Sequence, residues 1–189
     1  MAVILALNEP LSLASLSALF GVGLKVREII KPLGSLLDGV HDEDKPIRPL
    51  HTSFRDFLLD ERSLAFHIRI LPHHSLSPGR TLLACMRDML QFNICNLKDS
   101  RLWNIAVPNL SDQVNKAIPP HLSYSCRYWM DHLQHASGTP ELLTEITLFF
   151  KDFFPYWLEA ISLLSLFSVS SILSAIEICS ILETWAKVR

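Results

Sequence analysis

The sequence predicts a mainly α-helical chain, with a partial winged-helix subdomain that carries a small β-hairpin followed by an α-helical subdomain. Three observations lead there. Apolar residues recur at helical spacing through most of the chain. One pair of short apolar runs flanks an acidic tip, His41-Asp-Glu-Asp44. A proline-bounded stretch at 72–78 reads as a linker and divides the sequence into residues 1–71 and 72–189.

Ser12 is a natural N-cap for a short helix through Phe20, and Gly21 and Gly23 are stop signals. Over residues 24–37, Val26, Ile29, Ile30, Leu33, Leu36 and Leu37 form one apolar stripe, so a second helix is expected there, bent or displaced by Pro32. Asp38-Gly39 breaks it. Residues 36–40 and 47–50 then pair across the acidic tip, and helix, helix, hairpin is the order of a winged helix. Thr52 or Ser53 caps the next helix, with Phe54, Phe57 and Leu58 on its inner face. Residues 65–71 alternate like an extended segment.

The second part reads as helices. Residues 81–92 form one. Residues 98–108 are irregular, with Trp103 as an anchor. Pro119-Pro120 opens a strong helix whose inner face is Leu122, Cys126, Trp129 and Leu133, closed by Ser137-Gly138. Pro140 opens the next, with Leu142, Ile146, Phe149, Phe150, Phe153 and Trp157 inward and a kink expected at Pro155. A last helix over 169–187 is apolar on most sides, which calls for neighbours on most sides.

Composition narrows the functional classes. The chain has 189 residues, 49% hydrophobic and 19% charged, so a packed core is expected rather than disorder. A net charge of −2 offers no basic excess for nucleic acid. Cys85, Cys95, Cys126 and Cys179 lie far apart and read as reduced thiols of a cytoplasmic protein. The apolar start lacks a basic flank and meets Glu9-Pro10, which argues against a signal peptide; it reads as the end of an element that begins upstream. Residues 160–176 are uncharged but shorter than the roughly 20 residues of a spanning helix and interrupted by serines, so two buried helices meeting near Ser168 are expected instead of a membrane span.

No catalytic constellation emerges. A phosphate-binding G-x-x-x-x-G-K-[ST] loop is absent, and Gly21-Val-Gly-Leu-Lys25 reads as a turn. No G-x-S-x-G elbow supports a hydrolase. Among eight histidines, His132 and His135 share a helix face without a third ligand, so no metal site is expected. DNA binding would meet an acidic wing of Asp42, Glu43 and Asp44. The residue that stands out is His51, between an extended, proline-punctuated segment and a helix. Its ring is either a structural group bonded to the backbone or a nitrogen aimed outward at a ligand.

Five runs carry a resemblance: Glu9-Pro-Leu-Ser-Leu-Ala-Ser-Leu-Ser-Ala-Leu-Phe-Gly21, Val26-Arg-Glu-Ile-Ile-Lys-Pro-Leu-Gly-Ser-Leu-Leu37, Ile47-Arg-Pro-Leu-His-Thr-Ser-Phe-Arg-Asp-Phe-Leu58, Ile118-Pro-Pro-His-Leu-Ser-Tyr-Ser-Cys-Arg-Tyr-Trp-Met-Asp-His-Leu133 and Trp157-Leu-Glu-Ala-Ile-Ser-Leu-Leu164. In order and content they resemble the region just after the nucleotide-binding core of fungal NACHT-type STAND NTPases, the NOD-like receptor relatives that often carry WD repeats. The resemblance implies a non-catalytic regulatory segment that couples nucleotide state to C-terminal sensor repeats. Its partners would be the NACHT core and those repeats, with neither nucleic acid nor membrane. It implies that His51 reaches the ADP β-phosphate, with Phe54 and Phe57 packing to aim it. ADP or ATP would be held only by a chain with the NTPase core, and no cofactor is expected in this one. The core's phosphate-binding loop, acidic strand and sensor arginine are not in this sequence. The alternative is a free-standing helical protein–protein interaction module that docks through aromatics such as Phe149, Phe153 or Trp157.

Overall fold

The computed structural model describes residues 7–20, 26–60, 78–99, 101–134, 136, 139–166, 177 and 180, with the backbone alone at 29, 52, 55 and 59. The chain is mainly helical, with one two-stranded antiparallel sheet. It forms two compact units, Met1–His74 and Ser75–Arg189. Several expected features lie outside the described residues: the stops at Gly21, Gly23 and Ser137-Gly138, the extended segment 65–71, the linker residues 72–77 and the helix over 169–187. Among the described residues no helix is long and apolar enough to cross a membrane.

In the first unit, helix α1 (Leu13–Phe20) starts where Ser12 allows it: Ser12 Oγ accepts the Ser15 N–H at 3.2 Å. The helix buries Leu13, Leu16 and Leu19 on one face. Helix α2 (Val26–Ile30) is shorter than the apolar stripe implies. It passes into a 3-10 turn at Lys31–Leu33, with Pro32 in its first turn. Proline has no N–H to continue the α ladder, and its ring opposes the carbonyl four residues back. The chain then changes period. Leu37 is not on the helix but in strand β1 (Leu37–Asp38), where it is buried, while Leu36 points outward.

Strand β1 pairs with β2 (Arg48–Pro49) in the register Leu37 opposite Pro49 and Asp38 opposite Arg48. This is the hairpin expected around the acidic tip, and Leu50 N–H extends it by donating to Leu36 O at 3.0 Å. The tip folds back onto α1. Ala14 N–H, one of the helix's unsatisfied first-turn donors, bonds to Glu43 O at 3.0 Å, and Ile47 N–H bonds to Leu11 O at 3.0 Å. Arg27 forms an ion pair with the Glu43 carboxylate. At the turn, Asp38 Oδ1 accepts from Lys45 Nζ at 3.0 Å and from Gly39 N–H at 2.9 Å; these two donors, lysine first, hold its carboxyl below the ordinary aspartate range.

The second unit is a helical pack. Helix α4 (Pro78–Met89) starts and ends earlier than the apolar spacing over 81–92 implies, because Pro78 fits a first turn and Asn93 has turned left-handed, at φ 53°. Helix α5 (Leu110–Ala117) is short and buries only Val114, so its apolar pattern does not announce it. Helix α6 (Pro120–Gln134) opens at the proline pair and buries Leu122, Cys126, Trp129 and Leu133 as the spacing predicts. It packs closely on α4: a Cβ on Gly79 would stand 2.6 Å from Leu133 Cδ2. Helix α7 (Pro140–Leu148) is capped by Thr139, whose side chain accepts the Leu142 N–H at 3.2 Å.

Where a kink is expected at Pro155, the helical period changes. A π turn, Phe149–Phe153, precedes helix α8 (Phe154–Leu163), and Phe154 N–H reaches back five residues to Phe149 O. Pro155 then falls in the first turn of α8, where its missing N–H is not needed by the helix. The π turn also gathers the aromatic core. Trp129 packs against Phe149 and Trp157 with ring centroids 4.9 and 5.8 Å away. Trp157 Nε1–H donates to Cys126 O at 2.9 Å, whereas among the described residues the fully buried Trp129 Nε1 finds no hydrogen-bond acceptor.

The hairpin tip generates a direct test. Gly39 sits at φ +81°, and a Cβ there would stand 2.6 Å from Pro46 O. Gly39→Ala combines left-handed strain with a backbone clash and is expected to lower stability by about 1–3 kcal/mol, read as a shift in the urea midpoint.

Candidate functional site

His51 lies where β2 ends and helix α3 (Thr52–Leu59) begins. Its backbone is extended, at φ −138° and ψ 138°, the geometry of an N-cap. The sequence points to Thr52 or Ser53 as the cap; the structure gives that role to the histidine. Ser53 N–H donates to His51 Nδ1 at 3.2 Å, and Ser53 Oγ lies 2.6 Å from the same nitrogen. Serine in the second helical position supplies its backbone N–H, and the imidazole at the N-cap accepts it.

This assigns the tautomer. A nitrogen that accepts a backbone N–H carries no proton, so the neutral ring has its proton on Nε2. The residue is exposed, and the far edge of the ring is an N–H donor facing away from the helix it caps. Of the two aromatic residues expected to pack and aim it, Phe54 is half-buried while Phe57 is exposed, at 47%. Phe57 is therefore not a core residue. The buried member of that face is Leu58. Two polar contacts at Nδ1 hold the ring.

The other sequence candidates fall into the core or apart. Phe149 and Trp157, offered as docking aromatics, are buried, and Phe153 is half-buried. His132 Nε2 bonds to Tyr124 OH at 2.8 Å, and His135 lies outside the described residues. Among the described residues no three His, Cys, Asp or Glu side chains are placed to hold a metal ion. Cys85, Cys95 and Cys126 are free thiols, each pushed up by burial, so each stays protonated at neutral pH.

One feature is absent from the sequence reading. The loop after α4 is pinned to α8 at two points one helical turn apart. Glu159 accepts the N–H groups of Asn93 and Ile94 at 3.0 and 3.2 Å, and Asn104 Nδ2 donates to Ser162 O at 3.1 Å. Asn93 and Leu97 exchange two further bonds inside the loop. Phe92, Leu102, Trp103 and Ile105 are nevertheless exposed, Trp103 at 83%, so the tryptophan expected to anchor the loop points outward. The signal in sequence is the asparagine at three left-handed positions of this loop, Asn93, Asn96 and Asn109.

No family model, no curated protein and no solved structure matches the chain.

Two substitutions probe these sites. His51→Ala removes the cap acceptor and is expected to cost about 1 kcal/mol, whereas His51→Asn supplies a competent cap and should leave the urea midpoint nearly unchanged. Glu159→Ala leaves two backbone donors without their carboxylate and should cost about 2 kcal/mol, with faster limited proteolysis within residues 91–107.

Proposed function

We propose that this chain is a non-catalytic regulatory and structural segment of a NACHT-type signalling NTPase, its first unit a winged helix and its second the helical path toward sensor repeats. The observation that carries the reading is the exposed His51 ring, whose capping contacts leave Nε2–H outward at the end of a hairpin. A nucleoside diphosphate held by an NTPase core needs donors for its β-phosphate, and an imidazole N–H is one. The resemblance of the five sequence runs to the NACHT-type family supplies the partner. Of a nucleotide's contacts this chain would provide that one; the phosphate loop and the metal-binding acidic group belong to the core.

In this reading the imidazole contact favours the ADP-bound closed state, so its loss favours opening. The experiment measures ADP release from a NACHT-type NTPase that carries the matched histidine, as wild type, His→Ala and His→Asn. Both variants should release ADP several-fold faster, because asparagine restores the cap and not the outward donor. Unchanged release in both overturns the reading, and faster release in alanine alone reduces His51 to a helix cap.

A second reading, a helical protein–protein interaction module, is favoured by the pinned loop with Phe92, Leu102, Trp103 and Ile105 exposed. It moves the docking surface from the buried Phe149 and Trp157 to Trp103 and its neighbours.

A further inference from the structure

Helix α4 and the α7–π-turn segment enclose a cleft of about 280 Å³ in the second unit, lined by Arg80, Arg87, Glu145, Leu148, Phe149 and Phe153 among others. Arg80 and Glu145 form a two-bond fork, Nε to Oε2 at 3.1 Å and Nη2 to Oε1 at 2.5 Å. The arginine at one end of the cleft is thus already oriented for a carboxylate, and part of its guanidinium remains for a second acceptor. Arg87, seven residues along the same helix, lies on the same face. Asp88, its neighbour in sequence, comes within 3.6 Å, beyond hydrogen-bond reach, and that pair is solvent-exposed.

Two guanidinium groups and one carboxylate share the lining, with the Asp88 carboxylate paired to Arg87 at its exposed edge. Glu141 also acts on Arg80, but it is exposed and outside the lining. The opposite wall is apolar: Leu148 is exposed at 45%, and the π turn brings Phe149 and Phe153 to the same side. Such turns recur at functional sites because they re-aim side chains that a regular helix would spread. The volume sits just below the ~300–1,000 Å³ of sites that hold drug-sized ligands, so it fits one ring or a short chain and excludes a nucleotide.

We infer that this cleft binds a small apolar monocarboxylate, whose carboxylate meets Arg87 and the spare edge of Arg80 while its body lies on Leu148 and Phe153. The Arg80–Glu145 fork already displays the required geometry. The site is independent of the nucleotide reading above and would stand if that reading fell.

The test is an amide-detected NMR titration of the full chain with 3-phenylpropionate and, as neutral control, 3-phenylpropanamide. The acid is expected to give saturable shifts at Thr81, Ala84 and Leu148, with the amide at least about tenfold weaker, as loss of a charge-assisted bond implies. Arg87→Gln, at an exposed position, should weaken the acid about tenfold, leave the amide unchanged and keep the rest of the spectrum superimposable. Equal binding of acid and amide, indifference to Arg87→Gln, or no saturation of the acid by about 10 mM would each overturn the inference.

Discussion

The bond from Ser53 N–H to His51 Nδ1 decides what the first unit can present. Without it, the ring at the start of α3 could rotate and exchange its proton between nitrogens. With it, one nitrogen is spent on the helix and the other becomes a donor in solvent. The hairpin sets where that happens. Pro49 ends the ladder, Leu50 closes it onto Leu36, and the chain enters α3 immediately afterward. The hairpin in turn is fixed by the backbone bonds from Ala14 and Ile47 and by the ion pair of Arg27 with Glu43. The acidic tip is therefore partly occupied with holding its own fold.

The second unit rests on a different constraint, the accommodation of Pro155 in a continuous helical run. The π turn accompanies the convergence of Phe149, Phe150 and Trp157 on Trp129, and of Phe154 on Trp157. The indole of Trp157 uses its N–H on a helix carbonyl, while Trp129 buries an N–H with no acceptor among the described residues. That orphan donor is a cost of order 1–3 kcal/mol, offset by the ring contacts and burial around it. The same turn forms one wall of the arginine-lined cleft, so a device that reconciles proline with helix also shapes the surface.

Much of the fold was legible where a single physical signal dominated. Ser12 before an apolar run, the proline pair before α6, and two apolar runs around an acidic tip each point to one local structure, and the structure contains all three. Legibility failed where two signals competed. The stripe through Leu37 has helical spacing, yet Pro32 ends α2 early and Leu37 becomes a strand residue. Serine and threonine outrank histidine as caps in general, but here Ser53 supplies the donors and His51 the acceptor. Phe57, Trp103, Phe149 and Trp157 show the limit of hydrophobicity alone. The first two are exposed and the last two buried, because which aromatic is covered depends on long-range packing that spacing does not encode. The contacts of Glu159 and the cleft between Arg80 and Phe153 join residues more than sixty positions apart, beyond any local pattern.

The central claim is that the cap on α3 holds His51 as its Nε2-protonated tautomer with that N–H facing outward. Ring-nitrogen NMR of the intact chain, correlating the His51 carbon-bound protons with both nitrogens of the neutral imidazole, reads this directly. A bare Nδ1 and a protonated Nε2 are expected, with His51→Asn deleting the signals and no others. A proton on Nδ1, or fast averaging between the two nitrogens, would contradict the account.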